Sequence, residues 1–486
     1  MMAGSIRRTG VILGLLLLAL LVNLSLIQTV RAENLNERND NARTLIREYS
    51  YPRGPIVVGA DPVALSVADQ GTLEFLRTYA DGPLYAPATG FYSLVYGRTA
   101  IEEEENSVLS GTDPGLSSQP LLDSLLRRPT DPGSALLTLN ADAQAAAFEG
   151  LGNQRGAVVA LEPNTGRILA LASTPSYDPN TLSGQDTAAV SDAYNAYNED
   201  PDQPLLNRPL ARTYPPGSTF KLVTAAAALM SGEYTPETEI PGPASLPLPD
   251  TNISLSNLGN RACLDGTVTL TEALRVSCNT AFAQIGLDLG ADALREQAEA
   301  FGFNSSFDVP MTAATSVFPD DLNRPQTAQS AIGQFDVRAT ALQMAQVTAA
   351  IANGGESMNP YLVDEVRDSD LGVLRRTVPS VFKESVTPEV AAQLNAMMVD
   401  VVKRGTGRPI AIPGVTVGGK TGTAETAPGE APHVWFVAFA PAEQPQVAVA
   451  VVVENGGDLG SEATGGRVSA PIARAVIQAV LGSTGG

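Results

Sequence analysis

The most apolar part of the chain lies near its amino terminus. Residues 9–30 carry no charge and directly follow two arginines, and about 20 apolar residues are enough to cross a bilayer as a helix. Positive charge before such a helix keeps that end in the cytoplasm. The pattern predicts a cytoplasmic tail at residues 1–8, a transmembrane signal anchor at residues 9–31 and an extracytoplasmic body. A cleaved signal peptide is the alternative.

Beyond the anchor, the pattern changes twice along the chain. Residues 33–135 are rich in turn residues and carry the acidic run Glu102 to Glu105, which we predict to be a solvated face. Residues 150–486 have strand-like runs at both ends and helical patterns between them, which predicts one α/β domain. The predicted helices lie at residues 141–151, 218–230, 270–286, 339–352, 388–402 and 471–481. The predicted strands lie at residues 136–139, 156–161, 167–173, 415–424, 433–440 and 447–454, the last of them central in its sheet.

Composition excludes several classes of function. The chain has 486 residues, which is too long for one ordinary core. Its net charge of -21 would repel polyphosphate, so we predict no nucleic-acid partner. The one histidine, His433, excludes multi-histidine metal sites, and we predict a structural role for it. We expect neither a metal nor a cofactor.

Two cysteines, Cys263 and Cys278, complete the set of rare residues. Neither falls in a Cys-x-x-Cys pair, so a zinc site has no support. An extracytoplasmic location is oxidising and favours a disulfide between them. Two buried free thiols are the alternative.

The strongest chemical signal is the pair Ser218 and Lys221. The two residues are three positions apart at the predicted start of an apolar helix, so they share one face. A neutral lysine amine there can take the serine proton and make the hydroxyl a nucleophile. Ser380 and Lys383 have the same spacing, but prolines bracket them and no buried helix follows. We predict a surface loop at that second pair.

The second motif combines the hydroxyl of Ser277 with the carboxamide of Asn279, two residues further along the chain. The serine can relay a proton and the amide can bind a peptide group. The structural alternative is an ordinary polar position on a helix. The same spacing recurs at Ser357 and Asn359 in a glycine-rich segment before a proline, where we predict a turn.

A third motif runs from Lys420 through Thr421 and Gly422 to Thr423 on a predicted strand. The lysine supplies positive charge for a carboxylate, and the glycine allows close approach of a substrate backbone. The edge of a strand also offers N–H groups to an oxyanion. The alternative is a strand with a surface lysine.

The order of the three motifs, Ser-x-x-Lys, Ser-x-Asn and Lys-Thr-Gly, resembles that of penicillin-binding proteins and class A β-lactamases. Two of the four lysines of the chain fall within them. The chain is most similar to class B penicillin-binding proteins, and among them to the actinobacterial penicillin-binding protein A group. Further similar segments are residues 53–56, 97–102, 156–180, 206–208, 214–217, 332–334, 342–345 and 433–441.

The resemblance implies a fold and an activity. The fold is that of the serine β-lactamases and penicillin-binding transpeptidases. It is an α/β fold with a mainly antiparallel five-stranded sheet, flanking helices and an all-helical subdomain, after a β-rich pedestal or dimerisation-like domain. The activity is D,D-transpeptidation of peptidoglycan stem peptides, with β-lactams as inhibitors.

The resemblance also implies a role for each motif residue. Ser218 attacks the penultimate D-Ala carbonyl, Lys221 is the base and Ser277 passes the proton on. Asn279 binds the acyl chain. A further set holds the terminal carboxylate or serves the oxyanion: Lys420, Thr421, Gly422 and Thr423.

Several alternatives stay open at this point. A D,D-carboxypeptidase or a β-lactamase would use the same acyl-serine with water as acceptor. For a penicillin-binding scaffold, Ser218→Ala would leave growth and cell shape unchanged. A glycosyltransferase module would not fit before residue 150 beside a linker domain. Resemblance further implies a SEDS-type glycan polymerase as a membrane partner.

Overall fold

The computed structural model describes residues 2–29, 49–117 and 130–483, apart from residues 72, 308, 312 and 428. Predictions for residues 30–48 and 118–129, at the end of the anchor and in the first domain, therefore lie outside the described residues. The described helices are α1 (Met2–Thr29), α2 (Gly82–Thr89), α3 (Ile101–Glu104), α4 (Asn106–Leu109), α5 (Ala141–Leu151), α6 (Thr187–Glu199), α7 (Arg208–Ala211), α8 (Lys221–Met230), α9 (Leu270–Val276), α10 (Asn279–Ala300), α11 (Arg324–Ser330), α12 (Ala341–Ala352), α13 (Pro388–Arg404) and α14 (Ser469–Ser483).

Strands occur both before and after the long helical middle of the chain. They are β1 (Ile56–Val58), β2 (Asp61–Ala68), β3 (Phe75–Tyr79), β4 (Tyr92–Ser93), β5 (Gly97–Arg98), β6 (Ser134–Leu137), β7 (Gly156–Leu161), β8 (Ile168–Thr174), β9 (Glu239–Pro241), β10 (Ser245–Pro247), β11 (Ser254–Ser256), β12 (Thr267–Thr269), β13 (Glu356–Met358), β14 (Val363–Arg367), β15 (Val373–Arg376), β16 (Val381–Glu384), β17 (Gly418–Ala424), β18 (His433–Ala440) and β19 (Val447–Val453).

Helix α1 contains the apolar stretch of the amino terminus. Its segment Arg7–Ile27 has a mean hydropathy of 2.7 and is not buried against the rest of the protein. A helix of this length and composition can cross a membrane. The finding is compatible with the predicted anchor, whose orientation stays a prediction.

The first domain is built on a six-stranded sheet in the order β15-β14-β6-β1-β2-β3. Strand β1 lies parallel to β6, and β14 lies antiparallel to β6 on its other side. Strands β14 and β15 come from residues 363–376, which the sequence analysis assigned to the second domain. The sheet is therefore completed by a distant part of the chain and ties the two regions together.

A buried charge cluster lies beside this sheet. Both carboxylate oxygens of Glu102 accept hydrogen bonds of 2.6 Å, one from Arg53 Nε and one from Arg77 Nε. The Tyr79 hydroxyl adds a contact of 3.0 Å. Burial on its own would raise the pKa of Glu102, but the charges of Arg77 and Arg53 outweigh it and lower this pKa. The predicted solvated face is wrong for Glu102 and also for Glu105, which is buried.

We expect Glu102→Gln to lower the free energy of unfolding by about 3–5 kcal/mol, because two buried guanidinium groups would lose their shared counter-charge. Thermal unfolding of the full chain in detergent measures the effect. The matched control is Glu74→Gln in the same domain, where the side chain is exposed and the change should stay within about 0.5 kcal/mol. Equal effects of the two substitutions would contradict the role of the cluster.

The second domain is built on a five-stranded antiparallel sheet in the order β17-β18-β19-β7-β8. Strand β19 is the middle strand, as its valine and alanine run predicts, and all its residues are buried. One face of the sheet packs against α12, a helix with every residue buried. The other face packs against α5 and α14. This confirms the predicted α/β architecture.

Three local predictions need correction. The helix predicted for residues 270–286 is two helices, α9 and α10, which are separated at Ser277 and Cys278. The surface loop predicted at Ser380 and Lys383 contains strand β16, and the turn predicted at Ser357 contains strand β13. These two strands pair with each other, with Ser357 opposite Lys383. Cross-strand pairing at this distance in sequence leaves no signal in either short segment.

Candidate active site

Ser218 lies in a tight turn directly before α8. The turn is a 3₁₀ segment, Gly217–Thr219, and Gly217 has a φ of 53°. A Cβ atom on Gly217 would lie 2.6 Å from the carbonyl oxygen of Thr423. Glycine is therefore required for the turn to approach β17 this closely. The amino-terminal end of α8 also favours negative charge that develops beside Ser218.

Lys221 begins α8 and is fully buried. Its Nζ lies 2.8 Å from the carbonyl oxygen of Ser277, 3.3 Å from Ser277 Oγ and 2.7 Å from Asn279 Oδ1. In the part of the chain that the structure describes, no hydrogen bond joins this amine to the Ser218 hydroxyl. The direct contact between Ser218 and Lys221 stays a prediction, and catalytic hydrogen bonds often tighten only when substrate binds.

Ser277 occupies the break between α9 and α10. Its backbone is left-handed, with φ 59° and ψ 44°, a conformation that non-glycine residues adopt at an energetic cost and often at functional sites. The Ser277 hydroxyl accepts a hydrogen bond of 2.8 Å from Lys420 Nζ and lies 3.3 Å from Lys221 Nζ. One hydroxyl therefore bridges two lysines from distant motifs.

The two lysines have unusual pKa values because they are buried. Burial lowers the pKa of Lys420 to about 7. Burial, reinforced by the positive charge of Lys420, lowers the pKa of Lys221 well below its ordinary value. Among the described residues, no carboxylate forms an ion pair with either amine. Both shifts favour the neutral form of the amine, and at Lys221 the charge of Lys420 adds to the effect of burial.

Asn279 is the first residue of α10 and faces the same cluster. Its Oδ1 accepts from Lys221, and its Nδ2 donates to the carbonyl oxygen of Ser256 at 3.1 Å. Both ends of the carboxamide are thus engaged in fixing the motif. Its predicted contact with an acyl chain stays a prediction.

Strand β17 carries the third motif at the edge of the five-stranded sheet. Lys420 and Gly422 are buried, while Thr421 and Thr423 are partly exposed. A Cβ atom on Gly422 would lie 2.8 Å from Trp435 Cβ and 2.9 Å from Thr219 Cγ2, so glycine lets the strand lie against the turn that bears Ser218. An edge strand keeps backbone groups unpaired on its outer side, as the predicted oxyanion role requires.

Cys263 and Cys278 form a disulfide in the structure. Cys278 lies between Ser277 and Asn279, so the bridge joins the loop before β12 to the central position of the Ser-x-Asn motif. It closes a loop with a sequence separation of 15 residues, which by the loop-entropy model stabilises the fold by roughly 3 kcal/mol.

A polar cluster behind the nucleophile was not found from the sequence. Glu454 accepts hydrogen bonds from Arg208 Nε at 3.0 Å and from the Tyr214 hydroxyl at 2.9 Å. The Tyr214 ring lies edge-on against His433, whose Nδ1 accepts from the Asn455 N–H at 3.1 Å. These contacts hold the segment that leads to Ser218, and they agree with a structural role for His433. Glu454 lies in no motif that would have identified it.

Comparisons with known proteins agree with this geometry. Residues 156–478 match the family model of the penicillin-binding protein transpeptidase domain. The chain belongs to the penicillin-binding protein transpeptidases. Residues 53–135 match a second model, the penicillin-binding protein A dimerisation domain. The family and the fold predicted from the three motifs are confirmed.

Relatives of this penicillin-binding protein match along nearly the whole chain. A Mycolicibacterium smegmatis protein named peptidoglycan D,D-transpeptidase PbpA is 44% identical over 98% of this chain and 99% of the relative. The Mycobacterium tuberculosis protein of the same name is 44% identical over 99% of both chains. The solved ceftriaxone acyl-enzyme complex of penicillin-binding protein A from M. tuberculosis has a TM-score of 0.86 and 44% identity. It covers 90% of this chain and 100% of that chain.

Proposed function

We propose that the chain is a serine D,D-transpeptidase that cross-links peptidoglycan stem peptides, and that β-lactams acylate its Ser218. The observation that carries the proposal is the position of the Ser277 hydroxyl between the amines of Lys221 and Lys420. The order of the contacts supports a proton relay, because Lys420 donates to Ser277 Oγ and this hydroxyl can in turn donate to the neutral Lys221 amine.

The proposed acylation step uses these groups in sequence. Ser218 Oγ attacks the carbonyl carbon of the penultimate D-Ala while its proton passes to Lys221. Backbone N–H groups of Ser218 and Thr423 donate hydrogen bonds to the carbonyl oxygen as it becomes negatively charged. As the peptide C–N bond breaks, Ser277 gives its proton to the leaving nitrogen of the terminal D-Ala and regains one from Lys221.

The acyl-enzyme is then resolved by an amine of a neighbouring stem peptide. Nitrogen attacks the ester carbonyl, a proton leaves that nitrogen through the same relay, and Ser218 Oγ departs with a proton. The product is a new amide cross-link. Lys420 provides the positive charge that attracts the terminal carboxylate, and Thr421 and Thr423, partly exposed on the same edge strand, provide hydroxyl donors.

The arrangement in the cell is also part of the proposal. Residues 1–8 lie in the cytoplasm, residues 9–31 cross the membrane, residues 33–135 form a pedestal and residues 150–486 form the catalytic domain outside the cell. The enzyme is monofunctional, without a glycosyltransferase module. A membrane-embedded SEDS-type glycan polymerase supplies the glycan strands and is the proposed partner.

A transpeptidase transfers the acyl group to an amine, whereas a carboxypeptidase transfers it to water, so the acceptor distinguishes the two enzymes. The full chain in detergent is incubated with a stem pentapeptide that ends in D-Ala-D-Ala and with a labelled amine acceptor, and the products are identified by mass. We expect release of D-Ala together with an amide product, both lost in Ser218→Ala. Hydrolysed tetrapeptide without amide would identify a carboxypeptidase. Penicillin labelling without any D-Ala release would identify a scaffold.

A further inference from the structure

A short turn beyond α13 connects two of the catalytic motifs. The N–H groups of Gly405 and Gly407 both donate to the carbonyl oxygen of Val401 at 3.0 Å. The N–H group of Thr406 donates to the carbonyl oxygen of Arg275 at 3.3 Å. A Cβ atom on Gly405 would lie 2.3 Å from the same Arg275 oxygen. The turn is therefore packed against the end of α9, directly before Ser277.

The side chain of Thr406 extends from this turn to the Lys-Thr-Gly strand. Its Oγ1 lies 2.8 Å from Thr421 Oγ1. On the other side, a Cβ atom on Gly466 would lie 3.2 Å from the carbonyl oxygen of Thr406 and 3.7 Å from Thr421 Cγ2. The backbone of Thr406 therefore packs closely against two other segments, while the residue itself is exposed at the surface.

The direction of this hydrogen bond decides what Thr421 can do. A hydroxyl has one proton to donate and two lone pairs that accept, whereas an ionised carboxylate only accepts. If Thr421 donated to Thr406, it would have no proton for a substrate carboxylate. If Thr406 donates, the Thr421 proton is available to the substrate. The Lys420 amine next to it already contacts Ser277 Oγ and the Thr421 carbonyl oxygen. These contacts leave one of its three N–H groups for the carboxylate, so the Thr421 hydroxyl adds a second donor.

We propose that Thr406 is a positioning residue for carboxylate recognition: its hydroxyl donates to Thr421 Oγ1 and so directs the Thr421 proton to the terminal carboxylate of the substrate or the carboxylate of a β-lactam. The inference rests on the proposed function. The backbone contact of Thr406 with Arg275 also sets the distance between the carboxylate site and the Ser277 turn. Thr406 itself touches neither the reacting bond nor the nucleophile.

The test compares Thr406→Val, which removes the hydroxyl at nearly constant size, with Thr406→Ser, which retains it. Second-order rate constants of acylation are measured on the full chain for benzylpenicillin and for its methyl ester, which lacks the carboxylate. We expect Thr406→Val to lose roughly tenfold or more with benzylpenicillin, to equal the wild type with the ester and to unfold at the wild-type temperature. Thr406→Ser should restore most of the benzylpenicillin rate.

Other outcomes overturn the proposal in distinguishable ways. Equal losses with penicillin and ester would indicate a general structural role for Thr406. A serine variant as slow as the valine variant, or a valine variant as fast as the wild type, would exclude the hydroxyl contact. If the wild type reacts equally fast with benzylpenicillin and with its methyl ester, the site does not recognise the carboxylate and the proposal is wrong. A wild type that neither substrate acylates would instead refute the proposed function itself.

Discussion

Replacing Ser218 with alanine is expected to abolish covalent labelling by a fluorescent penicillin, with a loss on the order of 10³-fold or more. Alanine lacks the oxygen that forms the acyl bond, and the neighbouring hydroxyl of Thr219 is buried and donates to the carbonyl oxygen of Pro216. The fold should survive, because Ser218 is partly exposed and the structure records no hydrogen bond of its hydroxyl among the described residues. Gel fluorescence after a fixed labelling time measures the loss, and thermal unfolding verifies the fold.

The chain offers a matched control for this substitution. Ser380 precedes Lys383 by the same spacing but is exposed and lies directly before β16, so Ser380→Ala should label like the wild type. Labelling that persists in Ser218→Ala would require another nucleophile and would refute the mechanism. Labelling that is lost in both variants would mean that it depends on something other than the identity of the serine.

The proposed catalytic residues could be predicted from the sequence because their chemistry depends on short local spacings. Ser218 with Lys221, Ser277 with Asn279, and the run that starts at Lys420 each keep their motif within a few residues. The structure brings all three motifs together. The order of the motifs along the chain was therefore sufficient to recognise the family. The prolines and glycines beside residues 357–359 and 380–383 set these two copies apart.

The backbone at Ser277 was not accessible in the same way. Residues 270–286 have a helical pattern throughout, yet the chain leaves the helix at Ser277 with a positive φ. Lys221, which is 56 residues away, donates to the carbonyl oxygen of Ser277, and the disulfide fixes Cys278 to Cys263. These tertiary contacts override a local helical preference, and the contact with Lys221 leaves no signal in a local window of sequence.

The same reason explains the errors in the first domain. Glu102 looked solvated because its arginine partners lie 49 and 25 residues earlier in the chain. The six-stranded sheet takes β14 and β15 from within the second domain, which local hydropathy cannot indicate. Because Arg375 on β15 also pairs with Glu105, the boundary between the two domains is a shared sheet instead of a linker.

Replacing Lys221 with methionine is expected to slow acylation by about 10²–10⁴-fold, the usual contribution of a general base. Methionine fills the buried position but cannot take the Ser218 proton. The matched control is Lys383→Met, where the amine lies on the surface in the copied motif, and its rate should equal that of the wild type. A Lys221→Met variant that acylates at a normal rate would assign the base to another group.

The pH dependence of acylation tests whether the amines of Lys221 and Lys420 share a single proton. Neutral Lys221 is needed, so the rate constant should rise with pH through the lowered pKa of this lysine. Charged Lys420 is needed for the carboxylate, so the rate constant for benzylpenicillin should fall again above its pKa of about 7, by roughly 50-fold between pH 7 and pH 9. The methyl ester, which has no carboxylate, should show the rise without the fall.

Two outcomes would contradict this prediction. A benzylpenicillin rate that keeps rising to pH 9 would mean that Lys420 retains its proton, and that burial does not make the two lysines share a single proton. An identical fall with the ester would mean that the charge on Lys420 serves the chemical step instead of carboxylate binding.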